Sequence, residues 1–314
     1  MAKTNINKDI LAPFGVRLKR DMKRNWSLYL LVLPLLTFYT LFCYKPMYGA
    51  LIAFKEYQPR LGIMGSEWVG LKHFYDFITN PYFWRILRNT LTISFSALIF
   101  AFPAPIVLAL LINELKGKWF PRIVQTISYL PHFISLVVVC SMVKEFTMQD
   151  GIINDLLAMF GVKRQTMLNN PNLFVPVYVL SEIWQGIGWS SIIYLAALTG
   201  IDQSLYEAAK IDGANRWKQT IYVTIPCIIP TVVTMLILRV GGLMNVGYEK
   251  IILLYNPVTY ETADVISSFV YRKGILERGY SYSAAVGLFN SVINCILLFS
   301  TNRISRKLNN TSLW

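Results

Sequence analysis

Residues 207–226 read EAAKIDGANRWKQTIYVTIP and decide the fold, because this short polar segment joins two long apolar stretches. Residues 206–210 are strong helix formers, and the two small alanines leave room for another surface to pack closely. Gly213 can end such a helix because glycine tolerates the left-handed conformation of a helix C-terminus. Taken alone, the segment could be an ordinary amphipathic connector. Its position between two apolar stretches favours a short helix lying along a membrane surface.

The composition indicates a membrane protein with several spans. Of its 314 residues 54% are hydrophobic and only 15% are charged, with a mean hydropathy of +0.45, which is too apolar for an ordinary soluble protein. A span needs about 20 mostly apolar residues. We therefore predict an all-α membrane protein with six transmembrane helices, at residues 27–44, 90–112, 123–143, 173–199, 222–246 and 284–302.

The distribution of basic residues predicts the orientation of the chain. Lysine and arginine in short flanks favour the cytoplasmic side, and they cluster before residue 25, at 116–122, within 210–218 and after residue 302. We therefore predict a basic cytoplasmic tail at 1–25, a transmembrane domain at 26–302 with a cytoplasmic segment at 202–220, and a second cytoplasmic tail at 303–314. The net charge of +13 then belongs to the membrane surface, and no nucleic acid is expected as a partner.

The sequence contains no set of residues that predicts catalysis or metal binding. The four cysteines lie in or beside apolar stretches without a CxxC pair, and His73 and His132 lack ligand spacing to other donors. No Ser-His-Asp set, HExxH or GxxxxGK[ST] occurs. We expect no catalytic residue, no metal and no cofactor on this chain, and any ATP must be hydrolysed by another polypeptide.

One face of the fourth predicted span is suited to a sugar. Glu182, Gln185, Gly186 and Trp189 follow the i, i+3, i+4, i+7 spacing of one helical face. An indole can cover the apolar side of a pyranose, the carboxylate and amide can bind hydroxyls, and glycine lets the ring approach the backbone. Polar groups inside a bilayer usually face a cavity or a partner. The alternative is a packing face against neighbouring helices.

The fifth predicted span carries Arg239 within an apolar run, followed by Gly241, Gly242 and Asn245. A permanent charge there needs a carboxylate or a wet cavity. We hypothesise that Arg239 faces the path, paired with Glu182 or contacting the substrate; a purely structural Arg239–Glu182 pair is the alternative.

Two asparagines share a face of the last predicted span. Asn290 and Asn294 are spaced i, i+4, so they could extend the same path. They could equally hold helices together by hydrogen bonds.

The decisive segment resembles the EAA loop of bacterial ABC importer permeases. That family's pattern has EAA, then Gly after three residues, then Ile-x-Leu-Pro nine further on, and this chain has Glu207, Ala208, Ala209 and Gly213 followed by VTIP at 223–226. From residue 26 onward the chain resembles the sugar-transporting branch of these permeases. The strings YLPHFIS (129–135), IIYLAALTGID (192–202) and RVGGLMNVGYEK (239–250) are most similar to its polysaccharide subgroup.

The resemblance implies a type I ABC importer fold and a set of functional positions. Counted from EAA, the sugar-binding positions of the larger maltose-type subunit coincide with Glu182, Gln185, Gly186, Trp189, Arg239, Leu243 and Val246. We add Asn245 and Asn290 as further path candidates, and the resemblance assigns Glu207, Ala208, Ala209, Asp212 and Gly213 to ATPase coupling. Leu243 and Val246 are apolar where the maltose-type subunit has amides, which argues against maltose and favours a longer or charged oligosaccharide.

The resemblance also implies the partners. These are a second permease subunit, usually a different chain, two ATPase subunits that bind ATP and Mg²⁺, an extracytoplasmic solute-binding protein and an oligosaccharide. The location implied is the bacterial plasma membrane.

Other functional classes were weighed against this interpretation. An ion-coupled secondary transporter of a sugar-like solute could share the spans and the buried charges, but it would more often show paired repeats with broken helices. An intramembrane enzyme would need a nucleophile and base or a metal set. Co-purification of an ATPase separates the importer from both.

Overall fold

A computed structural model describes residues 14–309 and 312–313. Residues 1–13 of the predicted N-terminal tail and residues 310, 311 and 314 of the predicted C-terminal tail lie outside the described residues. The chain divides into two compact units, the first ending at Val69 and the second beginning at Gly70. Most described residues are helical, which agrees with the predicted all-α class.

The first unit is built around one long apolar helix. None of the side chains in its first 19 residues, Trp26 to Tyr44, is buried, and an exposed apolar surface of this size is typical of contact with lipid or with a partner. The helix is followed by a small antiparallel ribbon, closed by stacking of Phe54 on Trp68 at 5.6 Å between ring centroids. The elements are α1 (Phe14–Arg24), α2 (Trp26–Phe54), β1 (Lys55–Glu56), α3 (Gly62–Gly65) and β2 (Glu67–Trp68).

The second unit contains the remaining spans and the connections between them. Its helices are α4 (Lys72–Ile78), α5 (Phe83–Glu114), α6 (Trp119–Phe133), α7 (Leu136–Thr147), α8 (Ile152–Ala158), α9 (Pro171–Thr199), α10 (Gln203–Ile211), α11 (Arg216–Gly241), α12 (Tyr248–Leu254), α13 (Tyr260–Ala263), α14 (Ile266–Tyr271) and α15 (Tyr280–Asn309). Proline and π-helical turns interrupt the regular helix at residues 97–103 of α5 and 220–226 of α11, where proline removes a backbone donor.

Four described helices, α2, α5, α11 and α15, are long and apolar enough to cross a membrane. A fifth candidate is the pair formed by α6 and the segment Leu136–Ala158, which contains α7 and α8, but its two members meet at a bend of 101°. The fourth predicted span is the 29-residue helix α9, which is long enough but is not among these apolar candidates because polar residues interrupt it. Each predicted span therefore overlaps helical structure, while the number of six membrane spans stays a prediction.

In two of the predicted spans the helix is not continuous over the predicted range. The third span, predicted as unbroken at 123–143, is divided because α6 ends in a tight turn containing Pro131, and Ser135 caps a new helix by accepting from the Val138 N–H. The fifth span, predicted to reach residue 246, ends as a helix at Gly241. The six residues 242–247 are not helical, and several of them line a cavity described below.

Helix α9 lies at the centre of the second unit. Phe174, Tyr178 and Val179 pack in one buried cluster with residues of α7 and α12. Tyr194 and Leu198, near the other end of α9, pack against Ile228 of α11. Helix α9 belongs to both clusters. Its side chains in the stretch from one cluster to the other therefore lie among α5, α7 and α11.

A buried ion cluster fixes the loop between α13 and α14. Asp264 is fully buried and accepts two hydrogen bonds from Arg272, at 2.8 and 2.7 Å. Arg85 of α5 lies 3.5 Å from the same carboxylate, and Asn89 donates to the Asp264 carbonyl at 3.0 Å. The hydrogen bonds to Asp264 raise the pKa of Arg272 above its ordinary value. Removing one partner from such a buried group is strongly destabilising.

Candidate functional site

Two cavities meet at one ion pair in the second unit. The larger cavity, of about 410 Å³, lies between α5, α9 and α11, and the smaller, of about 260 Å³, lies between α5, α9 and the non-helical residues after α11. Glu182 and Arg239 line both cavities. The predicted path residues on α9 and after α11 therefore lie around the same Glu182–Arg239 ion pair.

The ion pair joins α9 to α11. An Nη2 hydrogen of Arg239 is donated to Glu182 Oε1 at 2.7 Å, and the side chains are 43% and 29% exposed. Because both side chains are partly exposed, water can solvate both charges. The pair is therefore neither fully buried nor a simple surface contact. Of the alternatives considered for Arg239, the structure contains the pair with Glu182, and both residues border the two cavities.

Two glycines on α9 have different roles. A Cβ atom at Gly186 would meet nothing within 4 Å, and this glycine lines the larger cavity. A Cβ atom at Gly188 would lie 2.1 Å from the carbonyl oxygen of Ser128, so Gly188 is where α6 packs directly on α9. Close packing of α9 on a neighbouring helix therefore occurs at Gly188 and not at Gly186.

Trp189 lines the larger cavity and is held by aromatic neighbours from the turn at the end of α6. The His132 ring stacks on its indole at 4.5 Å between centroids, and Phe133 meets it edge-on at 5.7 Å. His132 thus covers one face of the indole. This contact could not be predicted from the sequence, where His132 has no ligand spacing to another donor; its place in YLPHFIS, before a helix break, was the available signal.

The end of α11 brings three further predicted residues to the smaller cavity. Leu243, Asn245 and Val246 all line it, although the Leu243 and Val246 side chains are largely buried. Irregular backbone at membrane depth is tolerated where it lines a cavity. The break after Gly241 therefore fits a path rather than a packing defect.

The two asparagines of α15 act on the site through Asn245. Asn245 Oδ1 accepts hydrogen bonds from Asn290 at 2.8 Å and from Asn294 at 3.0 Å, while Asn294 Oδ1 accepts from the Met244 N–H at 3.0 Å. Asn290 is not among the lining residues of either cavity. The geometry fits the alternative of hydrogen bonding between segments, which positions Asn245.

Lys250 and Tyr178 also line the smaller cavity, and sequence analysis missed both. Lys250 is 6% exposed; its Nζ donates to the Tyr178 carbonyl oxygen at 3.3 Å and lies 4.7 Å from the centroid of the Tyr178 ring. Burial lowers the pKa of Lys250 to about 8, with Glu182 acting in the opposite direction. The signals in the sequence were a lysine eleven residues beyond Arg239 and a tyrosine one turn before Glu182.

The segment at residues 202–220 forms a short exposed helix. Helix α10 begins after Asp202, whose side chain accepts from the Ser204 N–H at 2.9 Å, and it ends before Gly213 at φ +75°. That φ is the left-handed conformation anticipated for this glycine. Glu207, Ala208, Asp212 and Gly213 are exposed, and Ala209 is half-buried.

Side-chain contacts hold this segment against the spans. The Tyr206 hydroxyl lies 2.9 Å from Thr224 Oγ1 of α11, and Arg216 donates to Glu114, the last residue of α5, at 3.0 Å. Ile211 is 86% exposed, and Leu205 and Trp217 are also exposed. Exposed apolar side chains are typical of interaction surfaces when they lie close together.

No group of three His, Cys, Asp or Glu side chains is placed to hold a metal ion within the part of the chain that the structure describes. The chemistry available at the two cavities is hydrogen bonding, ion pairing and aromatic stacking.

Comparison with known proteins identifies the relatives of the chain. Residues 101–310 match the family described as binding-protein-dependent transport system inner membrane component. The chain is 43% identical to Protein LplB of Bacillus subtilis (strain 168), covering 96% of this chain and 95% of LplB. It is 45% identical to the polygalacturonan/rhamnogalacturonan transport system permease protein YteP of the same strain, covering 89% and 88%.

A solved structure agrees with these sequence relatives. A crystal structure of a bacterial alginate ABC transporter, in complex with an alginate pentasaccharide-bound periplasmic protein, contains a chain that matches with a TM-score of 0.86 at 43% identity. The match covers 95% of this chain and all of that one.

Proposed function

The chain belongs to the family of binding-protein-dependent transport system inner membrane components, and from that premise we propose that it forms half of the translocation path of an ATP-driven oligosaccharide importer. It is an integral membrane permease and not an enzyme. The family identity favours this function over the ion-coupled secondary transporter. A second permease subunit encloses the other half of the path.

The observation that carries the proposal is the position of the Glu182–Arg239 pair between two cavities at the end of α11. A hydroxyl-rich ligand there meets a carboxylate, a guanidinium and the amides of Gln185 and Asn245, with Trp189 beside the larger cavity. Polar groups of this kind fix the orientation of a sugar, while apolar and aromatic lining supplies contact area. We assign substrate contact to the pair, Gln185, Gly186, Trp189 and Asn245, with Leu243 and Val246 shaping the wall.

Relatives support a sugar as the substrate. The names of YteP and of the structural relative refer to polygalacturonan, rhamnogalacturonan and alginate. A more distant relative, 28% identical, is named for arabinooligosaccharides. All of these names refer to oligosaccharides or polysaccharides, and we extend that substrate class to this chain.

Energy for transport enters through α10. Glu207, Ala208 and Asp212 present an exposed face, and Ile211 adds an apolar contact for the groove of a separate ATPase, which binds ATP and Mg²⁺. Closure of the ATPase dimer draws the short helices of the two permeases together. Because Tyr206 and Arg216 link this segment to α11 and α5, its movement reaches the helices that line the cavities.

The same proposal fixes the orientation of the chain. With α10 facing the ATPase, residues 202–220 are cytoplasmic, and so are both termini at 1–25 and 303–314. The transmembrane domain at 26–302 lies in the bacterial plasma membrane. A solute-binding protein delivers the sugar on the opposite side.

The docking of α10 is tested by Ile211→Asp. A charge in the centre of the apolar contact should release the ATPase, because an unpaired charge is costly in a buried interface. The measurement is the amount of ATPase that co-purifies with the tagged permease from membranes expressing the whole importer. The matched control is Phe160→Asp, at an 84% exposed position in the connection after α8, which should retain the ATPase. Full retention by Ile211→Asp, or equal loss in the control, would contradict the proposed docking surface.

A further inference from the structure

The smaller cavity carries a positive charge that no neighbouring carboxylate neutralises. Arg239 is already paired with Glu182 at 2.7 Å, so these two side chains cancel. Lys250 lines the same cavity at 6% exposure, and within the described residues no carboxylate lies within ion-pair distance of its ammonium group. The net charge presented by the three side chains is therefore positive.

The contacts of Lys250 leave capacity for a ligand. An ammonium group has three hydrogen-bond donors, and among the described residues Lys250 uses one, to the Tyr178 carbonyl oxygen. The Tyr178 ring contributes a cation–π contact at 4.7 Å. Burying a charge with so few partners is costly unless an anion completes the site.

We propose that Lys250 forms a carboxylate subsite in the smaller cavity and selects acidic sugar residues, an inference that rests on the proposed import of oligosaccharides. The cavity of about 260 Å³ has room for one sugar ring and not for a whole oligosaccharide. Glu182 repels a carboxylate and Lys250 attracts it, so the acid group points toward Lys250. Gln185 and Asn245 then lie beside the ring hydroxyls.

Protonation of Lys250 gives the subsite a pH dependence. The charged and titratable groups that face Lys250 are Glu182 and Tyr178 from α9, Arg239 from α11 and Cys140 from α7. Because burial lowers the pKa of Lys250 to about 8, the ammonium form dominates at pH 7 and is lost as the pH rises through 8. Preference for an acidic sugar should therefore fall between about pH 7 and pH 9.

The test measures binding of two probes to the complete importer in nanodiscs, without the binding protein, by equilibrium dialysis. One probe is a trisaccharide of galacturonic acid, and the other is its carboxyl-reduced, neutral counterpart of identical length and linkage. Wild type should bind the acidic probe at least about tenfold more tightly, as expected for a charge-assisted contact. Lys250→Met should abolish this preference with little change for the neutral probe, whereas Lys250→Arg should keep it. The matched control Lys163→Met, at an exposed lysine in the connection after α8, should behave as wild type.

If Lys250→Met does not assemble, the pH dependence of binding by wild type and Lys250→Arg provides a second test. The ratio of acidic to neutral affinity should fall from pH 7 to pH 9 in wild type and stay constant in Lys250→Arg. Equal weakening of both probes in Lys250→Met, an unchanged ratio in that variant, or no binding of the acidic probe by wild type would each overturn the inference. The proposed import function is judged separately by ATP-dependent uptake, so one can fail without the other.

Discussion

Arg239 and Lys250 differ in how far their surroundings could be predicted from the sequence. Arg239 stands in an apolar run, where a guanidinium demands a partner, and Glu182 was the nearest candidate on a neighbouring span. Lys250 follows Tyr248 and Glu249 in what reads as a polar connection. Its burial depends on the chain turning back after Gly241, so only the folded structure shows it beside Glu182.

We predict that Arg239→Leu abolishes most uptake while the ATPase stays bound. The change leaves the Glu182 carboxylate without its 2.7 Å partner and removes a donor to sugar hydroxyls, and one charge-assisted contact is worth about 1.5–3 kcal/mol. Uptake in proteoliposomes containing the whole importer should therefore drop about tenfold or more.

The matched control is Arg164→Leu, which breaks an exposed ion pair with Asp155 at 2.8 Å outside both cavities. This variant should transport at the wild-type rate, since exposed pairs contribute little. Unchanged uptake by Arg239→Leu would reject a role for this residue in the path.

At the scale of the elements, the helical spacing on α9 was sufficient to group Glu182, Gln185, Gly186 and Trp189 on one side. The same spacing could not tell which glycine meets another helix, because that depends on where α6 crosses α9. The two breaks, at residues 134–135 and after Gly241, were also missed. Hydropathy is averaged over a window of residues. An apolar stretch can therefore score as one unbroken span even where a proline or a pair of glycines ends the helix.

We predict that Gly188→Ala destabilises the folded permease. The new methyl group would lie 2.1 Å from the Ser128 carbonyl oxygen, and overpacking of this kind costs about 1–3 kcal/mol. The Tm of the detergent-solubilised importer should fall by several degrees. Gly186→Ala is the control for stability, since its Cβ meets nothing within 4 Å and alanine is the better helix former. A fall in Tm for Gly186→Ala as large as that for Gly188→Ala would contradict the assigned crossing.

At the scale of the whole molecule, composition and the EAA spacing were enough to identify the class of protein, and the family match and the alginate transporter structure agree with it. The number of membrane spans was harder to predict from the sequence. Helix α9 has the length of a span, but Glu182, Gln185 and other polar residues lower its mean hydropathy. The exposed apolar side chains of α2 and the exposed face of α10 indicate that the chain functions as one subunit of a larger assembly.

Sugar uptake into proteoliposomes under two conditions separates an ATP-driven importer from an ion-coupled transporter. In the first, the chain is reconstituted with its second permease, ATPase subunits and binding protein; in the second, it is reconstituted alone under a proton or sodium gradient. We expect accumulation of an oligosaccharide only in the first condition, and only when ATP and Mg²⁺ reach the ATPase. Accumulation by the chain alone on an ion gradient, or uptake by the complete assembly that continues without ATP, would contradict this expectation.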